Sequence, residues 1–210
     1  MREYLEIRSP MLRRLGDAPL AELRTYGAWF RESMASRIAE LEALVQSTDG
    51  FAAWRADFTR ESIGALDAWI PGVVASRRLT EAERAHELTE LRRALKAPAN
   101  VADESFEIPT TQADARTLSI AFDLGVYFGE TFVRNVAGAA WQQVIKGSRR
   151  YVEFGHVVVV GVGIPFNPVR ISTVIAQCVL DGKNPRFLEL YDLRAAATWS
   201  APPKKPRAKR

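Results

Sequence analysis

Arg116, Asp123, Tyr127, Glu130 and Arg134 are the side chains whose types and spacing come nearest to a reactive or binding constellation. Arg116, Asp123 and Glu130 stand seven residues apart, and Tyr127 and Arg134 fill the intervening turns, so a helix gathers all five into one stripe. A carboxylate pair beside a phenol is raw material for general acid–base chemistry, which also needs a pKa moved by burial or by a neighbour. Two carboxylates two turns apart lie about 10 Å apart along the axis, too far to share a proton. An enzyme built on Asp123, Tyr127 and Glu130 would need a cleft with partners from the N-terminal half. The stripe fits a binding surface better. Tyr and Arg are enriched among residues that dominate protein interfaces, and Glu130 with Arg134 form an i,i+4 ion pair suited to a solvated face.

Other chemistry has fewer parts. The chain has one cysteine, Cys178, and two histidines, His86 and His156, so it offers no internal disulfide, no multi-cysteine zinc site and no His-rich metal centre. Cys178 falls on an apolar helical face and reads as a small buried hydrophobe. Gly161-Val162-Gly163 follows a strand and precedes a helix, but Phe166 stands where a dinucleotide site has its third glycine. No cofactor is expected. Pro165, Asn167 and Arg170 at a helix start suit either an anion or plain capping.

The elements that must carry these residues follow from periodicity and caps. Leu20, Leu23, Phe30, Met34, Ile38, Leu41 and Val45 predict an amphipathic helix, with Asp17 as its N-cap, Pro19 in the first turn and Thr48-Asp49-Gly50 as its stop. Thr59 caps a second helix through Ile63, Leu66, Trp69 and Ile70, which Pro71-Gly72 ends. Thr80-Glu81-Ala82-Glu83 is a capping box opening a third, with Leu88, Leu91 and Leu95 inward. Positions 28–37 and 68–77 echo each other, sharing Ala-Trp and Ala-Ser-Arg at an offset of 40 residues. Residues 97–112 carry two prolines and read as a linker. A helix from about Ala113 to Val136 bears the stripe, and Gly125 and Gly129 on its apolar arc predict close approach of another backbone. Strands are expected at Trp141–Ile145, Arg150–Phe154 and Val157–Val162, with Gly155-His156 as a tight hairpin turn. Helices from Asn167-Pro168 and from Pro185 complete the pattern. The fold class is α+β and mainly helical: an N-terminal helical bundle (1–97) packed on an α-β-β-β-α-α unit (98–197) with a small antiparallel meander.

Charge divides unevenly along the chain. The total is +4, and the last 13 residues carry five cations, Lys204, Lys205, Arg207, Lys209 and Arg210, with no acid. Removing those five leaves −1 for residues 1–197. The segment 198–210 is therefore read as a disordered basic tail, suited to nucleic acid or another acidic partner. No apolar run approaches the roughly 20 residues of a membrane span, and the first residues lack a signal-peptide core, so a soluble, cytoplasmic protein is expected.

Asp123-x-Gly-x-Tyr-x-Gly-Glu130, followed by Trp141 and by Pro165-Phe166 at a helix start, resembles a module of uncharacterised bacterial α+β proteins. Some of these are similar to accessory or immunity-type proteins associated with secreted toxins. The resemblance covers about residues 115–193 and implies an α+β module without known catalysis. Together these readings favour a non-enzymatic protein acting by protein–protein contact, neutralising or regulating an unknown protein partner. The alternative is a nucleic-acid-associated factor anchored by the basic tail. Truncation after Ala201 should leave circular dichroism and melting temperature nearly unchanged, because the removed residues bury little. Any nonspecific DNA binding should fall steeply in the same variant, as about five phosphate contacts are lost.

Overall fold

In a computed structural model of the chain, which describes residues 4–9, 15–96, 98, 100–161 and 163–199, the expected helices form with small shifts of boundary. α1 spans Leu20–Gln46, with Pro19 itself at the cap, since Asp17 is taken up in a short 3-10 turn, Leu15–Asp17. Gly50, at φ +85°, turns the chain after α1. α2 (Arg60–Trp69) begins where the Thr59 side chain accepts a hydrogen bond from the Ser62 N–H, and it tightens into a 3-10 turn at Ile70–Gly72. α3 (Glu81–Leu95) has the full capping box between Thr80 and Glu83.

α3 does not join a helical bundle. None of its residues is buried, and Leu95 is largely exposed, against the expectation that Leu88, Leu91 and Leu95 face inward. Its anchors are polar: Arg77 pairs with Glu83, and Arg92 pairs with Asp103. α3 is flanked by two strands that pair with each other, β1 (Ser76–Arg78) and β2 (Thr111–Ala113), antiparallel with Arg77 opposite Gln112. The segment read as a linker thus ends in a strand.

The second sheet holds two strands, not a three-stranded meander. β3 (Ala140–Gln143) lies antiparallel to β4 (Val157–Val160), with Trp141 opposite Val159. Residues 150–154 form successive turns, because the Tyr151, Phe154 and His156 N–H groups all bond three residues back. Phe154 is drawn instead into a small apolar cluster with Ala18 and Leu23. Gly155 sits at φ +88° at the end of that long connection, not in a two-residue hairpin turn. Phe166 supplies β4 with a bridge on its other side, opposite Val159. Val157, Val158 and Val159 are buried, as a strand apolar on both faces requires.

α4 (Ala115–Asn135) is the centre of the molecule. Asp114 caps it by accepting from the Thr117 N–H. Every residue from Ser119 to Gly129 is buried, which over about three turns leaves no face for solvent. The main apolar cluster joins Leu41 and Val45 of α1, Trp54, α2, Phe128 and Phe132 of α4, Val159 and Phe166 with the C-terminal helices. It therefore crosses the boundary at 97/98. α5 (Pro168–Leu180), capped by Asn167, packs chiefly on α4, and α6 (Phe187–Trp199) chiefly on α2. Asp67 of α2 fixes the start of α6, its carboxylate accepting from the Phe187 and Leu188 N–H groups at 2.8 and 3.1 Å.

The two glycines of α4 mark where α5 crosses it. A Cβ at Gly125 would lie 2.5 Å from the Val169 Cα and 2.9 Å from the Pro168 carbonyl oxygen. One at Gly129 would run into the Trp141 ring and lie 2.8 Å from the Pro168 Cγ. Gly125→Ala should therefore destabilise by about 1–3 kcal/mol through overpacking, despite a helix-propensity gain of about 1 kcal/mol. Urea unfolding curves measure this, and a variant more stable than the native protein would refute the crossing.

Candidate functional site

The stripe on α4 holds the chain together more than it faces outward. Asp123 and Tyr127 have no exposed surface. Arg116 is exposed, with its guanidinium 6.0 Å from the centre of the Tyr4 ring. Glu130 is mostly covered and Arg134 mostly open, and the expected ion pair between them is present at 2.9 Å.

Each stripe residue answers a different segment. Asp123 receives the Arg37 guanidinium in a fork, Nε on Oδ1 and Nη2 on Oδ2, both at 2.6 Å. Tyr4 donates its hydroxyl to the same Oδ2. Arg37 also donates to the Leu5 carbonyl at 2.6 Å, and the Ile7 N–H donates to Ser119 Oγ at 2.7 Å. Residues 4–7 are thus strapped across α1 and α4. Burial pushes the Asp123 carboxyl up to about 6, against the pull of Arg37 and Tyr4. Burial also opposes the charge on Arg37, but the hydrogen bonds and charge of Asp123 outweigh it and raise its pKa. The pair is ionised at neutral pH. Burial likewise raises the Tyr4 hydroxyl well above its ordinary range.

Tyr127 serves the loop before α2. Its hydroxyl accepts from the Phe58 N–H at 3.0 Å and meets Ser62 Oγ at 2.5 Å. Phe58 holds a left-handed backbone at φ +61°, a costly conformation for an aromatic residue. Its ring lies between Tyr127, at 5.2 Å, and the Arg134 guanidinium, at 3.7 Å, and its carbonyl accepts from Asn135. Glu130 reaches the third segment, accepting from the Trp141 Nε1–H at 3.1 Å. Both Asp123 oxygens are engaged by Arg37 and Tyr4, and the carboxylate has no exposed surface.

The start of α5 is also occupied from within. Asn167 caps it through the Arg170 N–H and donates to Glu153 Oε2 at 2.8 Å, while Arg170 approaches Glu153 at 3.4 Å. The chain's own carboxylate fills the place considered for an anion. Lys204, Lys205, Arg207, Lys209 and Arg210 lie outside the described residues. Among the described residues no three His, Cys, Asp or Glu side chains gather as a metal site, and no helix is long and apolar enough to cross a membrane.

A feature not anticipated from the sequence lies between α5 and α6. Because α5 follows α4 and α6 follows α2, the two helices leave an open cleft of about 600 Å³ between them. Val174, Ile175, Cys178 and Leu190 line it, with Lys183, Arg186 and Glu189 around it. Val174 is 55% exposed, Leu193 farther along α6 is 65% exposed, and Cys178 is half-buried rather than sealed in the core. The signal was present in the sequence: α5 carries one charge, Arg170, in 13 residues. A helix with so little charge is ordinarily covered on more than one side. Comparison of the chain with known protein families, curated proteins and solved structures finds no match.

The buried pair yields a double-mutant test. Arg37→Met or Asp123→Leu alone should destabilise by about 3–5 kcal/mol, since each strands a buried charge. The double variant should recover much of that loss. Denaturant unfolding of all four proteins measures the coupling, and additive losses would show that the two charges act independently.

Proposed function

We propose that this chain is a non-enzymatic protein that works by protein–protein contact, holding a partner against the α5–α6 cleft and so neutralising or regulating it. The observation that carries this reading is the open apolar flank of α5, where Val174 stands 55% exposed beside a cleft of about 600 Å³. Apolar surface grouped in a concavity and rimmed by charge is the usual mark of a contact site. The burial of Asp123 and Tyr127 argues for moving the contact face away from the α4 stripe. The neutralising role follows the resemblance to immunity-type proteins. The second reading, nucleic-acid association through Lys204, Lys205, Arg207, Lys209 and Arg210, rests on five cations in a stretch without acid.

Val174→Arg should abolish stable capture of the native partner by affinity purification from the source cells, with the melting temperature little changed because the side chain is half open. Capture that survives Val174→Arg but fails after truncation at Ala201 would transfer the function to the tail. Capture indifferent to both changes would overturn the cleft as the contact site.

A further inference from the structure

We infer that the exposed connection at residues 146–152 docks on anionic lipid bilayers, its cations meeting headgroups while Tyr151 and Val152 enter the interface. Charge is divided unevenly within the body of the chain. Residues 131–180 hold five cations and one acid, Glu153, a balance of +4 that leaves −5 for the rest of 1–197. Three of those cations, Lys146, Arg149 and Arg150, stand together between β3 and β4, and all three are exposed. Among the described residues none of the three pairs with a carboxylate. Glu153 is buried and already held by Asn167 and Arg170. The connection is also anchored on two sides. Arg170 donates to the Val152 carbonyl at 2.9 Å, and Arg149 donates to the Gly16 and Ala18 carbonyls at 3.1 and 2.9 Å.

Charge alone would suit any polyanion, and the apolar side chains narrow the choice. Tyr151 is 49% exposed and Val152 61% exposed, directly beside the cations. Tyr is favoured at the boundary of lipid and water, where its ring is covered and its hydroxyl stays wet. A nucleic acid would meet the cations but leave Val152 against phosphates. Single-strand binders also stack successive bases on several rings, whereas this segment offers Tyr151 alone. A stable protein interface takes about 20–30 residues a side, more than residues 146–152 present. A bilayer sets no such minimum, because each Lys or Arg near an anionic surface strengthens binding by about fivefold.

Co-sedimentation of the purified full chain with vesicles tests the proposal. The native protein should bind vesicles of equal parts phosphatidylcholine and phosphatidylserine and ignore vesicles of phosphatidylcholine alone. The basic tail adds cations of its own, so every variant is made in the full chain and compared with the native protein. Lys146→Ala and Arg150→Ala should each weaken binding about fivefold, with circular dichroism unchanged because both side chains are exposed. Val152→Asn should weaken it severalfold without changing its dependence on salt, since the lost contact is apolar. Arg31→Ala removes an equal charge from the exposed side of α1 and should leave binding nearly unchanged. A native chain that ignores the anionic vesicles, a loss as large on Arg31→Ala as on Arg150→Ala, or indifference to Val152→Asn would each overturn the proposal. Capture of polyuridylate that falls on Arg150→Ala, with vesicles ignored, would overturn it in favour of nucleic acid. None of these substitutions touches the α5–α6 cleft, so the contact reading of that cleft stands or falls separately.

Discussion

A helix enclosed on every side must have each of its polar side chains answered by another part of the same chain, and α4 imposes that condition on the whole molecule. Asp123 sits where water cannot reach it, so α1 must present Arg37 at that height and the segment at Tyr4 must close over the pair. Tyr127, four residues on, demands the Phe58 N–H and Ser62, which fixes the loop before α2. Thr131 turns its hydroxyl back to the Tyr127 carbonyl and needs no outside partner. A buried ion pair contributes little net stability against an apolar replacement of the same shape. Its effect here is on register: a one-turn slip of α1 along α4 would leave two charges unpaired.

The glycines set the other half of the arrangement. Val169 and Pro168 lie so close to Gly125 and Gly129 that α5 can cross α4 only there. That crossing commits α5 to α4 from its first turn, while Asp67 commits α6 to α2 by holding the N–H groups at its start. Two helices joined by a short connection would ordinarily pack on each other. These have prior attachments, and the space between them stays open.

Caps and periodicity made most helices legible in the sequence. Thr59, the Thr80/Glu83 box and Asn167 each start the helix expected of them, because a cap acts within four residues and leaves a local trace. Gly125 and Gly129 announced a backbone crossing for the same reason: a glycine cost inside a helix calls for a reason in packing. What was not legible depends on distant residues. Arg37 and Asp123 are 86 positions apart, and nothing beside Arg37 distinguishes it from the exposed Arg31 on the same helix. Ala35-Ser36-Arg37 and Ala75-Ser76-Arg77 are the same tripeptide. The first is helical with its arginine buried, and the second runs into a strand with its arginine exposed. The lost middle strand has the same origin, since Phe154 and Glu153 are claimed by Leu23 and Asn167 from other elements.

The candidate site misled in two opposite directions, and both errors have one cause. The sequence alone places polar residues of α4 on a solvated face and Cys178 of α5 in the core, because composition records what a side chain prefers in isolation. A side chain's place is decided by what the rest of the chain can bring to it. Arg37 and Tyr4 make burial of Asp123 tolerable, so that polar surface went inside. Nothing among the described residues comes over Val174 and Leu193, so their apolar surface stayed outside. Fully burying a Val or Leu side chain is worth about 1.5–3 kcal/mol, and with Val174 55% and Leu193 65% exposed more than half of that gain is left unrealised at each position within one chain. A partner that covers both would realise it, and this makes the α5–α6 face, more than the α4 stripe, the place where association has most to gain.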